Sequence, residues 1–247
     1  MNLVVNESWL IAFLLGLARA GGFILICPPF SNAAIPPRVK SIIAVALALA
    51  GASTQKTIEL SGGLPVFVSG LVMQVFLGLA LGFGVFVLFS AFSMAGDIID
   101  LSTGFSSAQS LDPTSGAFAS IGVRLLNLTA TALLFASGGH ILLVRGFVKA
   151  GATLDQVNLD RLGESVLGLV GTMMLAAIEI ALPVAGSLLI AEIGLALLGK
   201  AAPQLNVFQL GFAVKILFGL FLLGMSVALM PGQVGALLER SLSFIGG

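Results

Sequence analysis

Two apolar runs in this chain are longer than a lipid bilayer is thick. Residues 64–94 and 166–198 each extend for roughly 30 residues, whereas about 20 suffice to cross a membrane as a helix. At 1.5 Å per residue each run predicts a helix of about 45 Å, against a hydrocarbon core of about 30 Å. Such helices must tilt, kink or continue beyond the bilayer while packed on protein. The pattern therefore predicts an all-α integral membrane protein.

The composition supports the same interpretation. Of the 247 residues, 58% are hydrophobic and 9% are charged, whereas a soluble domain carries about 25% charged residues. A soluble core of this size could not hide so much apolar surface from water. Lys and Arg together number 11, and Asp and Glu together also number 11. The chain therefore has no excess of positive charge that would indicate binding to nucleic acid.

About six apolar segments occur in all, which predicts three helical hairpins in a single membrane domain over residues 1–247. Segment 42–51 is barely long enough to cross, and the positive residues of alternate loops are too balanced to set the orientation. Besides the two long runs, the apolar segments are 9–27, 42–51, 125–144 and 207–230.

Small residues predict special geometry at three points. Gly78 and Gly82 form a GxxxG pattern, where a neighbouring backbone can approach closely. Gly138 and Gly139 interrupt the fourth apolar segment beside His140, which we expect to make a hydrogen bond at a helix end. Pro183 is expected to kink the fifth segment.

The stretch 96–124 differs from everything around it. It carries three acidic residues, many serines and an Asp112-Pro113 step, which together favour a loop over a regular helix. Phe105 and Phe118 stand inside this otherwise small and polar segment. Taken by themselves, the residues favour a surface connection between two membrane helices over a moving part.

Charges inside apolar runs are costly and are functional candidates. Two interpretations are open for them: an ion or proton relay, or oppositely charged side chains that meet between helices and fix their register. The scattering of the charges favours the second. Asp97 and Asp100 could form an acid/base couple, but their spacing fits helix capping and pairing with Arg124 equally well. The charges within the apolar runs are Arg19, Glu179, Glu192 and Lys215.

No sequence signature of catalysis is present. The chain lacks the nucleophile-elbow, P-loop, HExxH and dinucleotide patterns. A single histidine and a single cysteine, Cys27, argue against a His/Cys metal site. We therefore expect neither an enzyme nor a bound metal or cofactor.

The stretch 198–208, before the last apolar segment, reads LGKAAPQLNVF. It matches the pattern L-x-[RK]-x-[AS]-P-Q-[LM]-N-[IV]-F, with Pro203, Gln204 and Asn206 as the signature residues. Through this pattern the chain resembles the family of FliR-type flagellar export proteins and their injectisome relatives of the SctT type. Weaker matches are 28–40, 96–99, Asp112-Pro113, Gly139-His140 with Arg145, and 181–183. The chain departs from the pattern at Asp97, Asp100, Ala213, Glu179 and Glu192.

The resemblance implies a function. Proteins of this family are membrane subunits of the type III export gate, which passes unfolded flagellar subunits out of the bacterial cytoplasm and is needed for flagellum assembly. The implied partners are FliP- and FliQ-like subunits, FlhB- and FlhA-like components, and exported proteins as transient cargo, in the inner membrane at the flagellar basal body. The resemblance also makes the loop 96–123 a candidate pore plug, with Gly104, Phe105, Asp112, Pro113 and Phe118 as its candidate residues.

Three alternatives remain beside this interpretation. An injectisome homologue would share every motif named above. A small-solute secondary transporter or channel would need an internal repeat and a clustered polar site, neither of which is evident. A passive scaffold cannot be separated from a gate subunit by sequence.

Overall fold

The structure, a computed structural model, describes residues 7–52, 63–105, 121–150, 159–202, 204, 207–228, 230–232 and 234–235. These residues form helices and turns, and no strand occurs among them. The helices run in chain order as α1 Glu7–Ile26, α2 Pro28–Ser31, α3 Pro37–Ala52, α4 Gly63–Thr103, α5 Ile121–Ala136, α6 Gly139–Ala150, α7 Leu159–Ala201 and α8 Val207–Val227. The predicted all-α membrane fold is confirmed.

The chain divides into two compact units, to both of which α4 and α7 contribute. The first comprises Met1–Leu88, Gly138–Leu169 and Leu238–Gly247, and the second comprises Phe89–Ser137 and Val170–Leu237. Each is described by itself below.

In the first unit, α1 packs against α4 through glycines on both helices. A Cβ added at Gly78 would collide with the carbonyl oxygen of Arg19, and one added at Gly82 would lie 2.8 Å from the carbonyl oxygen of Phe23. From the other side, a Cβ at Gly22 would lie 2.5 Å from the carbonyl oxygen of Val75. The two backbones are in direct contact, which confirms the close approach predicted from the GxxxG pattern.

Aromatic side chains fill the core of the same unit. The ring of Phe23 on α1 lies 6.1 Å from that of Phe30 and 5.4 Å from that of Phe147 on α6. The guanidinium of Arg19 lies over the Phe147 ring, with Cζ 5.3 Å from its centroid, and Arg19 is 1% exposed. A cation over an aromatic face is stabilised by the ring quadrupole, so this arrangement compensates part of the cost of burying the charge.

Prolines set where the helices begin in the connection between α1 and α3. Pro37 begins α3, where its missing N–H costs no helical hydrogen bond. Asn32 Oδ1 accepts a hydrogen bond from the Ala34 N–H at 2.9 Å, and Lys40 Nζ donates to the Ser31 carbonyl at 2.8 Å. As a result α3 starts at Pro37 and has 16 residues, so it is longer than the predicted 42–51.

Cys27 lies at the end of α1, just beyond the membrane-length stretch Ser8–Ile26, and is fully buried. Burial raises the pKa of its thiol well above the usual range, which depletes the reactive thiolate at neutral pH. We expect a maleimide to label Cys27 at least about tenfold more slowly in the folded protein than after denaturation. The control chain carries Cys27→Ala and Arg38→Cys, so that its one cysteine is exposed. Equal labelling rates for the folded and the denatured parent would contradict the burial of Cys27.

In the second unit the later part of α4 packs with α5 and α8. The buried residues include Phe92 and Ile99 of α4 and Leu126 of α5. Asn127 Nδ2 on α5 donates to Ser93 Oγ on α4 at 2.9 Å. A Cβ at Gly219 of α8 would collide with the Thr103 side chain, so this unit also depends on a helix contact that only glycine permits.

The apolar helices match membrane dimensions only in part. Among the described residues, Ser8–Ile26, Gly63–Thr103 and Leu167–Ala201 are long and apolar enough to cross a membrane. Helices α5 and α6 meet at 76° and form a fourth span if counted together. Gly138, with φ of +76°, lies at that break, as predicted from the paired glycines. Helix α3 and the apolar stretch Gly211–Val227 of α8 are shorter than a full crossing.

The prediction of a loop over 96–124 was wrong at both ends. Helix α4 continues to Thr103, and α5 already begins at Ile121. The small polar side chains are accommodated because Ser102 Oγ and Thr103 Oγ1 donate to the carbonyls of Ile98 and Ile99, one turn back, at 2.8 and 3.0 Å. Residues 106–120 lie outside the described part of the chain.

Candidate functional site

The candidate site is the junction where α4 ends and α5 begins. Asp100, in the last turn of α4, is 5% exposed. Its Oδ1 accepts a hydrogen bond from the Gly122 N–H at 2.8 Å, and its Oδ2 lies 3.5 Å from the Val123 N–H. The first N–H groups of a helix lack partners within the helix, and its N-terminus carries a partial positive charge. A carboxylate from a different helix thus caps α5.

Two further contacts join the same helices. A Cβ added at Gly96 would collide with the backbone of Val123, so α4 and α5 touch there without intervening side chains. One turn earlier on α4, Ser93 accepts the hydrogen bond from Asn127, which also donates to the Val123 carbonyl at 2.9 Å. We call these residues the α4–α5 clasp: Ser93, Gly96, Asp100, Gly122, Val123 and Asn127.

Helix α4 ends at a glycine in a left-handed conformation. Gly104 has φ of +87°, and its N–H donates to the Leu101 carbonyl at 3.3 Å. A residue with a side chain is strained at this φ. Phe105 follows and is 8% exposed. Of the candidate plug residues, Gly104 and Phe105 thus close the end of α4, whereas Asp112, Pro113 and Phe118 lie outside the described residues.

The two aspartates of α4 have different surroundings. Asp97 is exposed, whereas Asp100 is buried at the start of α5. Of the alternatives that the sequence left open for Asp100, the structure shows capping, because the carboxylate faces backbone N–H groups. Arg124 is exposed on α5.

Charges on α7 and α8 form an ion pair. Lys215 Nζ lies 2.7 Å from Glu192 Oε1, with side-chain exposures of 21% and 58%. Exposed apolar side chains surround this pair in sequence, among them Ile190 and Ile193 on α7 and Leu217 on α8. The pair joins α7 and α8 and favours one register between them. This arrangement fits the interpretation that oppositely charged side chains fix helix register rather than relay ions.

Double-mutant analysis can measure this pair. Exchanging the charges through Glu192→Lys with Lys215→Glu should recover stability that either single change loses. The coupling expected for so exposed a pair is about 0.2–1 kcal/mol in detergent at low salt. Thermal unfolding of the four chains measures it, with Glu179→Gln, which removes another exposed charge of α7, as control. Additive single effects would show that the pair contributes no interaction energy.

The remaining predicted residues are dispersed. Arg19 is buried on α1, with its guanidinium over the Phe147 ring, and Glu179 is exposed on α7. In the family signature, Gln204 lies in an exposed turn between α7 and α8, and Pro203 and Asn206 are outside the described residues. No group of three or more His, Cys, Asp or Glu side chains suited to a metal occurs in the described part of the chain.

Sequence reasoning missed most of the clasp. It singled out Asp100 but not Ser93, Gly96, Gly122 or Asn127. A usable signal was present, since Asn127 and Ser93 are polar residues within apolar helices and need partners there. Gly96 and Gly122 are small residues that flank the polar stretch on either side.

Comparison with known proteins identifies the chain's relatives. The family described as "Bacterial export proteins, family 1" matches residues 10–241. The chain is 31% identical over 231 residues to the flagellar biosynthetic protein FliR of Escherichia coli K12, covering 91% of this chain and 86% of that protein. It is 29% identical over 231 residues to FliR of Pectobacterium carotovorum, covering 91% and 87%.

A relative that does not carry the name FliR also matches. The surface presentation of antigens protein SpaR of Shigella sonnei is 25% identical over 207 residues, covering 83% of this chain and 80% of that protein. The match of residues 10–241 to one family covers nearly the whole sequence. The chain therefore belongs to the family of bacterial export proteins, family 1.

Proposed function

We propose that this protein is a membrane subunit of the bacterial flagellar type III export apparatus, in the inner membrane at the flagellar basal body. Membership of the export-protein family supports this, as do relatives of 29–31% identity that are named flagellar biosynthetic proteins. In this role the chain helps to form the pore through which unfolded flagellar subunits leave the cytoplasm. It acts by assembly and passage rather than by catalysis.

The observation that carries the proposal is the length of the apolar surface on α4 and α7. Helix α4 has 41 residues and α7 has 43, so each is about 60 Å long or more. Large exposed apolar side chains lie from Leu64 to Phe86 on α4, a rise of about 33 Å, with Leu101 about 22 Å further along, and from Leu167 to Leu198 on α7, a rise of about 46 Å.

Lipid alone cannot cover so long a surface on α7. To fit the 46 Å of α7 within a hydrocarbon core of about 30 Å, a straight α7 would have to tilt by about 50°. Membrane helices tilt by about 0–40°. Part of the apolar surface therefore needs protein as its neighbour, which is what a subunit of a larger membrane assembly provides.

The proposed neighbours are other components of the same apparatus. We assign the long apolar faces to FliP- and FliQ-like subunits, with FlhB- and FlhA-like components beside them. Exported proteins pass as transient cargo, and lipid covers the remaining surface. The family match supports an assembly with other export components, and the particular partners are part of the proposal.

The proposed barrier of the pore is the segment 104–118. A pore wide enough for an unfolded chain needs a displaceable obstruction to retain ions between passages. The segment joins α4 to α5, and Gly104 and Phe105 at its start are held at the end of α4. Its sequence combines small residues with Phe105 and Phe118, which could fill a constriction.

The function is tested by removal and return of the gene in its own host. Cells without this chain should secrete no flagellar subunits beyond the membrane and should not swim, and a plasmid copy should restore both. Immunoblots of the culture medium measure export, and the level of unexported subunits inside the cell serves as control. Normal flagella in the deletion strain, with secretion of virulence proteins lost instead, would assign the chain to an injectisome.

A further inference from the structure

The α4–α5 clasp fixes the two points between which the chain leaves α4 and returns in α5. Residues 100–103 form the last turn of α4, and Ile121 begins α5. Residues 104–120 connect the two helices, so any relative movement of the helix ends changes the distance that these residues must bridge. Three contacts oppose such movement: the Gly96 backbone contact, the Ser93–Asn127 hydrogen bond, and the Asp100 cap.

The three contacts differ in strength and in position. At Gly96 the backbones of α4 and α5 touch, but no hydrogen bond forms at this contact that would fix the direction of approach. The Ser93–Asn127 bond joins two neutral groups at 2.9 Å, about three turns before the end of α4. Asp100 lies nearest the end of α4, and its bond to Gly122 is charge-assisted at 2.8 Å. Charge-assisted bonds are about twice as strong as neutral ones.

Burial increases the importance of the Asp100 bond. A carboxylate that is 5% exposed has lost most of its water and must be compensated by protein groups. The compensating groups here are the N–H groups at the start of α5, from Gly122 at 2.8 Å and Val123 at 3.5 Å. If α5 moved away from α4, the carboxylate would be left buried without these donors. The junction is therefore held in one arrangement.

We propose that Asp100 is a positioning residue that holds the first turn of α5 on the last turns of α4 and so fixes the separation of the two helix ends. The inference rests on the proposed function only for its cellular readout, since a pore subunit whose helix ends separate should retain ions less well. The separation itself is measurable in the purified protein and does not depend on that function.

Paired spin labels measure the separation directly. Labels are placed at Leu101 and Arg124, which are both exposed, in a Cys27→Ala chain purified with its native complex. Asp100→Ala should broaden the distance distribution and raise the population of separated helix ends about 2- to 30-fold, the range that loss of a helix cap produces. Asp100→Asn keeps one carbonyl acceptor for the Gly122 N–H and should give an intermediate result.

The matched control is Asp97→Ala, which removes an exposed carboxylate of the same helix one turn earlier. It should leave the distribution as in the parent. Ion leakage in cells that assemble these variants should rank Asp100→Ala above Asp100→Asn, with Asp97→Ala equal to the parent.

Each outcome decides the inference. A distribution in Asp100→Ala as narrow as in the parent overturns it, as does equal broadening by Asp97→Ala. A broadened distribution with unchanged leakage shows that the clasp sets the helix ends but does not serve the barrier, which overturns the cellular part. Whether the parent chain restores export is a separate result, so failure of the proposed function is distinguishable from failure of this inference. If Asp100→Ala does not accumulate, Asp100→Asn supplies the same comparison.

Discussion

Replacing Gly78 by alanine should disrupt the first unit more than alanine at any other glycine that the structure describes in that unit. The new Cβ would collide with the carbonyl oxygen of Arg19 on α1, which is backbone and cannot rotate away. Overpacking of this kind costs about 1–3 kcal/mol or more. We expect Gly78→Ala to lower the amount of folded protein in membranes severalfold and Gly78→Leu to abolish it. Quantitative immunoblots of membranes and thermal unfolding in detergent measure the effect.

Two further glycines of α1 make this test specific. Gly22 faces Val75 across the same contact, so Gly22→Ala should reproduce the defect. A Cβ at the adjacent Gly21 would meet nothing within 4 Å, and alanine favours a helix over glycine by about 0.5–1 kcal/mol. Gly21→Ala should therefore be neutral or stabilising. If Gly78→Ala and Gly21→Ala were equally stable, the close packing of α1 on α4 would be wrong.

Replacing residues 106–118 by a Gly-Ser linker of equal length should leave assembly intact and make the membrane leaky. The linker preserves the reach between α4 and α5 and keeps Gly104 and the buried Phe105 at the end of α4, but it removes Phe118, a side chain proposed to obstruct the pore. Leakage is measured as ion entry and loss of membrane potential in growing cells. We expect an increase over the parent that is visible as slower growth in high salt.

The control must separate loss of the barrier from a damaged fold. Phe118→Leu keeps a bulky apolar side chain at that position and should leak less than the linker chain. The size of the native complex shows whether each variant assembles. Leakage no greater than in the parent, from a fully assembled linker variant, would refute the plug.

The sequence predicted the fold class and the main breaks because lipid imposes simple rules. The long apolar runs and the Gly138-Gly139 break each follow from local chemistry, and both appear in the structure. The GxxxG pattern also located a real backbone contact, since Gly78 and Gly82 both face the backbone of α1.

The clasp was harder to predict because it joins residues more than twenty positions apart. Asp100 could cap a helix or pair with Arg124, and nothing local decides between these. The serines and threonine after it suggested a loop, but their hydroxyls bond back along α4, and the helix continues to Thr103. Pairing of Glu192 with Lys215 likewise depends on the register of α7 and α8, which hydropathy does not specify.

The most direct test of the central claim is the native mass of the tagged protein, purified gently from its own host. A subunit of the export apparatus should appear as one copy in a large complex with several copies of two smaller helical membrane proteins, because the apolar face of α7 needs protein neighbours. An isolated monomer or small homo-oligomer, reproduced in several mild detergents, would contradict the account.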